Sequence, residues 1–177
     1  SLQSTAICNV AVGSNAGPVL TVGQYNAILG DYSCNNLTTG NSNTAVGQNC
    51  LSGITTGSNN VAVGFNALLN STASNLTAVG MYALYSNTTG TNSAAVGYQA
   101  LYANTTGQGN TAVGYQSLPN TTTGSYNTTM GLFAGNYNVA GGYNVAIGWA
   151  ANFNNVNGNY NVAVGVQALN SSTATYN

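Results

Sequence analysis

Side chains able to do chemistry are scarce in this chain, and their types limit what it can do. One carboxylate, Asp31, and three thiols, Cys8, Cys34 and Cys50, stand among Ser, Thr and 12 Tyr, and there is no Lys, Arg or His. General acid–base catalysis needs paired or tuned titratable groups, and Asp31 has no carboxylate partner. Serine and threonine nucleophiles need a base beside them, which a chain without His or Lys does not supply. Three Cys without His do not complete a four-ligand zinc site, and carboxylate-rich calcium loops are missing. Phosphate backbones are held by Lys and Arg. The expectation is a chain that is not an enzyme, with no cofactor, no metal and no nucleic-acid partner.

Composition narrows the class further. About 1 % of residues are charged and 44 % are hydrophobic, with a net charge of −1. Disordered chains combine low hydrophobicity with high charge, so a packed structure is expected. Asn, Thr, Ser and Gly interrupt every apolar run, and none approaches the roughly 18 apolar residues of a spanning helix. No positive residue precedes an apolar segment at the start, so nothing there reads as a targeting signal. Membrane insertion is not expected.

The elements that position these side chains come from a repeat. Aligned on the Gly that closes an "AVG" line, the chain places Gly13, Gly30, Gly47, Gly64, Gly80, Gly97, Gly114, Gly131, Gly148 and Gly165 at steps of 17 residues, with one step of 16 between Gly64 and Gly80. Ten lines account for residues 1–177 as one domain, and the missing residue reads as falling near 74–76, between Ser74 and Leu76. Four residues before the Gly stands Asn9, Asn26, Asn43, Asn60, Asn110, Asn127, Asn144 or Asn161, with Leu76 and Ser93 as exceptions. One before it is always a sizeable apolar residue; two before it is Ala in eight lines. Four after it is Leu in six lines, and ten after it a second Gly in eight.

A unit this short, with two Gly and several Asn, cannot hold two helices. Short β-branched runs bounded by Gly and Asn read as strands and turns. The fold expected is all-β: a β-solenoid (β-roll) of ten coils with a 17-residue repeat, the Gly residues supplying positive φ at corners. Coils about 4.8 Å apart would make a rod roughly 48 Å long. The Asn column would form a ladder of amide hydrogen bonds, as stacked Asn does.

The lines "NVAVGSNA" (9–16), "NVAVGFNA" (60–67), "NTAVGYQS" (110–117), "NVAIGWAA" (144–151) and "NVAVGVQA" (161–168) resemble the head repeats of trimeric autotransporter adhesins and similar lines in phage and bacterial fibre proteins. The resemblance covers nearly the whole chain, although the adhesin line is usually shorter than this one. It implies a left-handed β-roll packed as a homotrimer, an extracellular or cell-surface location, and attachment to cell-surface or matrix glycans and proteins.

Other columns carry competing readings. Thr21, Thr38, Thr55, Thr72, Thr88, Thr105, Thr122 and Thr173, with neighbours Thr39, Thr56, Thr89, Thr106 and Thr123, could form an ice-binding array; the plainer reading is turn hydroxyls capping backbone groups. Eight sequons begin at Asn36, Asn70, Asn75, Asn87, Asn104, Asn120, Asn127 and Asn170. They are candidate glycosylation sites, or "NTT" simply spells the turn. Phe65, Tyr98, Tyr115 and Trp149 follow the first Gly directly, and Tyr32, Tyr82 and Phe133 stand one place later. They would line a carbohydrate or interchain surface, or cover coil edges. Cys34 and Cys50 fall in neighbouring columns of neighbouring coils, where a disulfide fits as well as two small buried residues do.

If Val faces inward, the adjacent Ala faces outward, and a repeated outward Ala makes an apolar strip of the kind that marks an interface. Neither end shows a charged cap of the sort that stops solenoids stacking. Self-association follows, as a homotrimer or an end-to-end filament. The function expected is an extracellular structural or adhesive fibre module, a stiff rod displaying polar side chains for surface attachment. The alternative is an ice-binding solenoid.

Overall fold

The computed structural model describes residues 7–171 and 175–176. Each line folds as one short strand followed by turns: β1 (Val10–Val12), β2 (Ala27–Leu29), β3 (Thr44–Val46), β4 (Val61–Val63), β5 (Thr77–Val79), β6 (Ala94–Val96), β7 (Thr111–Val113), β8 (Thr128–Met130), β9 (Val145–Ile147) and β10 (Val162–Val164). The ten strands form one parallel sheet in sequence order. Register is strict: Ala45 pairs with Ala62, Ala62 with Ala78 and Ala78 with Ala95. This is a β-solenoid, and its ten strands are joined by nine turns of the coil. At about 4.8 Å per step, the first and last strands lie about 43 Å apart.

Backbone hydrogen bonds continue between coils through the turns, for example Cys34 N–H to Cys50 O at 3.0 Å and Thr88 N–H to Thr105 O at 2.9 Å. A stacked turn therefore satisfies its polar groups as a strand does.

Three columns of ordinary residues hold positive φ. They contain, among others, Asn66 (56°), Leu68 (53°) and Asn75 (62°) in one coil. Among the described residues, none of the non-glycine residues with positive φ is β-branched, because a branched Cβ tolerates that region worst. Thr and Val are frequent in the chain yet stay out of these columns. The left-handed conformation costs roughly 1–2 kcal/mol per residue. For Leu51, Leu68, Leu84, Leu101 and Leu118, all fully buried, burial worth about 1.5–3 kcal/mol offsets it.

Both Gly columns lie against the backbone of the next coil, a Cβ on Gly97 falling 2.3 Å from Gly114 O, but only one of them also uses positive φ. The first runs at φ between 126° and 142°. The second does not use positive φ, contrary to the expectation that each Gly would. Its role is close approach: a Cβ on Gly90 would lie 2.2 Å from Gly107 O, and one on Gly107 2.2 Å from Gly124 O.

The strands also face the opposite way from the expectation. Ala45, Ala62, Ala78, Ala95, Ala112, Ala146 and Ala163 are buried, while the flanking Val residues lie toward solvent. The coil is too thin for more than a methyl opposite the Leu column. Where the column does carry Ile28, the Leu column carries Gly17, whose added Cβ would lie 2.9 Å from Ile28 Cδ1. Where it carries Thr129, Ser117 replaces Ala nearby and the two hydroxyls meet at 2.7 Å.

The shortened line loses its residue between Ser71 and Ala73, not between Ser74 and Leu76. Ala73 takes the place of the second Gly: a Cβ on Gly57 would lie 2.2 Å from Ala73 O. Asn60 Nδ2 donates to Ala73 O at 3.0 Å, as Asn43 Nδ2 does to Gly57 O at 2.9 Å.

Candidate functional site

The expected Asn ladder forms. Asn43 Nδ2 donates to Asn26 Oδ1 at 3.1 Å and to Gly57 O at 2.9 Å; its own Oδ1 accepts from Asn60 N–H at 3.0 Å and Asn60 Nδ2 at 3.1 Å. The run Asn9, Asn26, Asn43, Asn60 ends where Leu76 N–H donates to Asn60 Oδ1 at 3.0 Å. It resumes after Ser93 with Asn110, Asn127, Asn144 and Asn161. These amides bond along the stack from coil to coil, so the ladder is architecture.

A second polar column escaped the sequence reading. Seven residues after the first Gly, Leu20, Leu37 and Ile54 give way to Ser71, Asn87, Asn104, Thr121, Asn138 and Asn155, all buried. Asn104 Nδ2 donates to Asn87 Oδ1 at 2.7 Å. Thr121 breaks this ladder by donating to Asn138 O instead, at 2.9 Å. The Oδ1 atoms of Asn104 and Asn138 are buried without partners. The switch from Leu to Asn along one column was the available signal.

This burial bears on the sequons. Asn87, Asn104 and Asn127 are buried with their amides bonded inside the coil, so a glycan on any of them is incompatible with the folded rod. Asn36, Asn70, Asn75 and Asn120 are exposed and Asn170 is half-buried.

Cys34 and Cys50 are buried free thiols, and Cys8 is an exposed one; of the two readings left open for the Cys34–Cys50 pair, the structure has small buried residues and no disulfide. Cys50 Sγ sits 2.9 Å from Ser33 Oγ and 3.0 Å from Gly47 O. Burial pushes the Cys34 thiol up to about 12, with Cys50 adding to the rise and the Ser33 hydrogen bond opposing it. Burial likewise raises Cys50. Neither is a nucleophile at neutral pH. Asp31 is exposed, and its Oδ1 accepts Ser14 N–H at 3.0 Å, a link between coils.

Hydroxyls of the inner Thr column donate to the next coil's backbone: Thr38 to Thr55 O at 3.1 Å, Thr88 to Thr105 O at 2.9 Å and Thr105 to Thr122 O at 3.0 Å. Thr39, Thr56, Thr89, Thr106 and Thr123 are exposed, but the residue lost beside Ala73 interrupts their column. Thr173 lies outside the described residues.

Two features face solvent along the rod. The first is the outer face of the sheet, where Val12 (54 % exposed), Leu29, Val46, Val63, Val79, Val96, Val113, Met130 (51 %), Ile147 and Val164 (65 %) form one continuous column; Val46, Val63, Val79 and Val113 are half-buried and the other six exposed. Beside it runs a column of Val, Ala and Thr. The second is aromatic. Tyr98 stacks on Tyr115 at 5.1 Å between centroids, Tyr85 on Tyr102 at 5.2 Å, and Tyr82 meets Phe65 edge to face at 5.6 Å. Tyr126, Tyr143, Tyr160 and Tyr176 form a separate stack with steps of 5.0, 5.1 and 5.0 Å. That stack precedes the Asn column and was not singled out from sequence, since the earlier lines place Ser42, Asn59 and Asn92 there.

In comparisons with known proteins, no family model, no curated protein and no solved structure matches this chain.

Proposed function

We propose that the protein is a non-enzymatic structural module of an extracellular fibre, a stiff rod that associates side by side through the outer face of its sheet. One observation carries this reading: the uninterrupted column of Val, Leu, Met and Ile along the whole sheet, exposed at six of its ten positions and half-buried at the other four, on the face turned away from the Ala-lined core. A contiguous apolar strip of that length is the mark of an interface. The near absence of charge agrees with it, because packed identical faces would bring like charges together. The likeness of its lines to adhesin head repeats supports the same role, with the polar turns and aromatic rows left outward for attachment.

Sedimentation velocity and negative-stain microscopy test it. The wild-type chain should run as a homo-oligomer or fibre. The double variant Val96→Lys, Met130→Lys should run as a monomer with an unchanged circular dichroism spectrum, since both side chains point to solvent. A monomeric wild type, or a variant that associates as before, would overturn the reading.

A further inference from the structure

The aromatic row changes character near β9. Line nine places Trp149 directly after its Gly and Phe153 four residues later, and with Phe133 of the preceding coil they wall an open cleft of about 400 Å³. Phe133 and Phe153 stand edge to face, with centroids 6.5 Å apart and planes at 85°. Phe133 is held at φ 60° in a stacked turn, so a rigid backbone sets its ring. The remaining wall is Ala150 and three amides, Asn154, Gln167 and Asn170.

Two of the cleft's polar side chains, Trp149 and Gln167, are without a hydrogen bond among the described residues. Elsewhere in its column Gln116 Nε2 bonds to Gln99 Oε1 at 2.6 Å, whereas the Gln167 side chain makes no hydrogen bond among the described residues. Neither does the indole N–H of Trp149, which is 44 % exposed. Asn154 Nδ2 reaches Asn170 Oδ1 only at 3.5 Å. The cleft thus offers ring faces, the amide of Gln167, the indole N–H and one long, weak amide pair, with no charge: there is no Lys, Arg or His in the chain, and Asp31 lies seven coils away.

We propose that this cleft binds a neutral β-1,4-linked oligosaccharide of pyranose units with equatorial hydroxyls. Such a chain is a flat ribbon whose C–H faces lie on aromatic rings, while its equatorial hydroxyls meet amides at the edge. Sulfated or carboxylated sugars find no counter-charge here. The site is built within one chain, so it goes beyond the fibre reading and does not depend on association.

Trp149 is the only Trp in the chain, so its fluorescence reports this cleft alone. Titration of the wild-type protein with cellohexaose, and in parallel with chitohexaose, should give a saturable blue shift with at least one of the two. Gln167→Ala and Asn154→Ala, both at exposed positions, should each weaken binding by about tenfold without changing the circular dichroism spectrum. Three results would overturn the proposal: no saturable change with either sugar at millimolar concentration, unchanged affinity in both variants, or preference for a sulfated oligosaccharide. A shift that follows protein concentration and ignores sugar would assign the cleft to a second copy and overturn it too. Sedimentation of the same samples reports association separately, so failure here leaves the fibre reading standing.

Discussion

Asn43 shows what one buried amide contributes to this rod. Its four side-chain hydrogen bonds join three coils, and truncation would strand buried partners on each side. Asn43→Ala should destabilise the protein by about 3 kcal/mol, the order expected when buried donors and acceptors lose their partners; urea unfolding should show a lower midpoint at unchanged slope. The converse holds at Thr121. Thr121→Asn gives the orphaned Asn104 Oδ1 a donor and should raise stability by about 1 kcal/mol. The thiols give a second residue-scale prediction. Cys8 alone should react with iodoacetamide in the folded protein, and all three should react in denaturant, because Cys34 and Cys50 are buried. The Cys34 pKa is raised on folding, so the native state keeps its proton where the unfolded chain loses it. That term is neutral below about pH 9 and erodes stability as pH rises from there toward 12. The fall in urea midpoint across that window should be smaller in Cys34→Ala than in wild type.

The strand and its turns work as one element, and its glycines test it. Gly107 is needed for close approach, with backbone oxygen 2.2 Å from an added Cβ; Gly165 is needed for its φ of 126°, with open space around the Cβ. Gly165→Ala should therefore cost about 1–3 kcal/mol, the price of backbone strain alone. Gly107→Ala should cost more, because two coils must separate and break the bonds that join them; thermal melts of the two variants rank them. The pairing of Ile28 with Gly17 shows the same limit inside the core, where one larger side chain requires one smaller neighbour.

At the scale of the whole rod, the core is uneven. One apolar cluster runs from Leu20 to Leu118, rich in Leu and Ile, while the later coils keep only Ala134, Ala146, Ala151 and Ala163 with Leu169 beside them. Asn138, Asn152 and Asn155 fill the places that Leu and Ile hold earlier. Local opening follows the density of buried apolar contact. Amides of β8 and β9 should exchange about tenfold faster than those of β4 and β5, equivalent to about 1.4 kcal/mol. Hydrogen exchange read by mass spectrometry on peptides from each coil checks this, and equal protection along the rod would contradict it.

Sequence alone determined the solenoid, its period and the Asn ladder. Stacking gives the same position in every coil nearly the same surroundings, so one column of Asn or Gly repeats the same physical demand and becomes readable without coordinates. It also marked one shortened line, though the place of the missing residue was decided by which carbonyl Asn60 and Gly57 meet. Tertiary structure alone decided which way the strand faces. Ala and Val alternate on three residues, and either can be inside until the width of the coil is known; the Leu column leaves room for a methyl, and this turns Val outward. Positive φ at Leu68 and its equivalents was hidden for the same reason, since only packing makes a strained Leu worth keeping. The cleft beside Trp149 was equally out of reach, because Phe133, the pair Trp149 and Phe153, and Gln167 come from three coils and meet only once those coils are stacked.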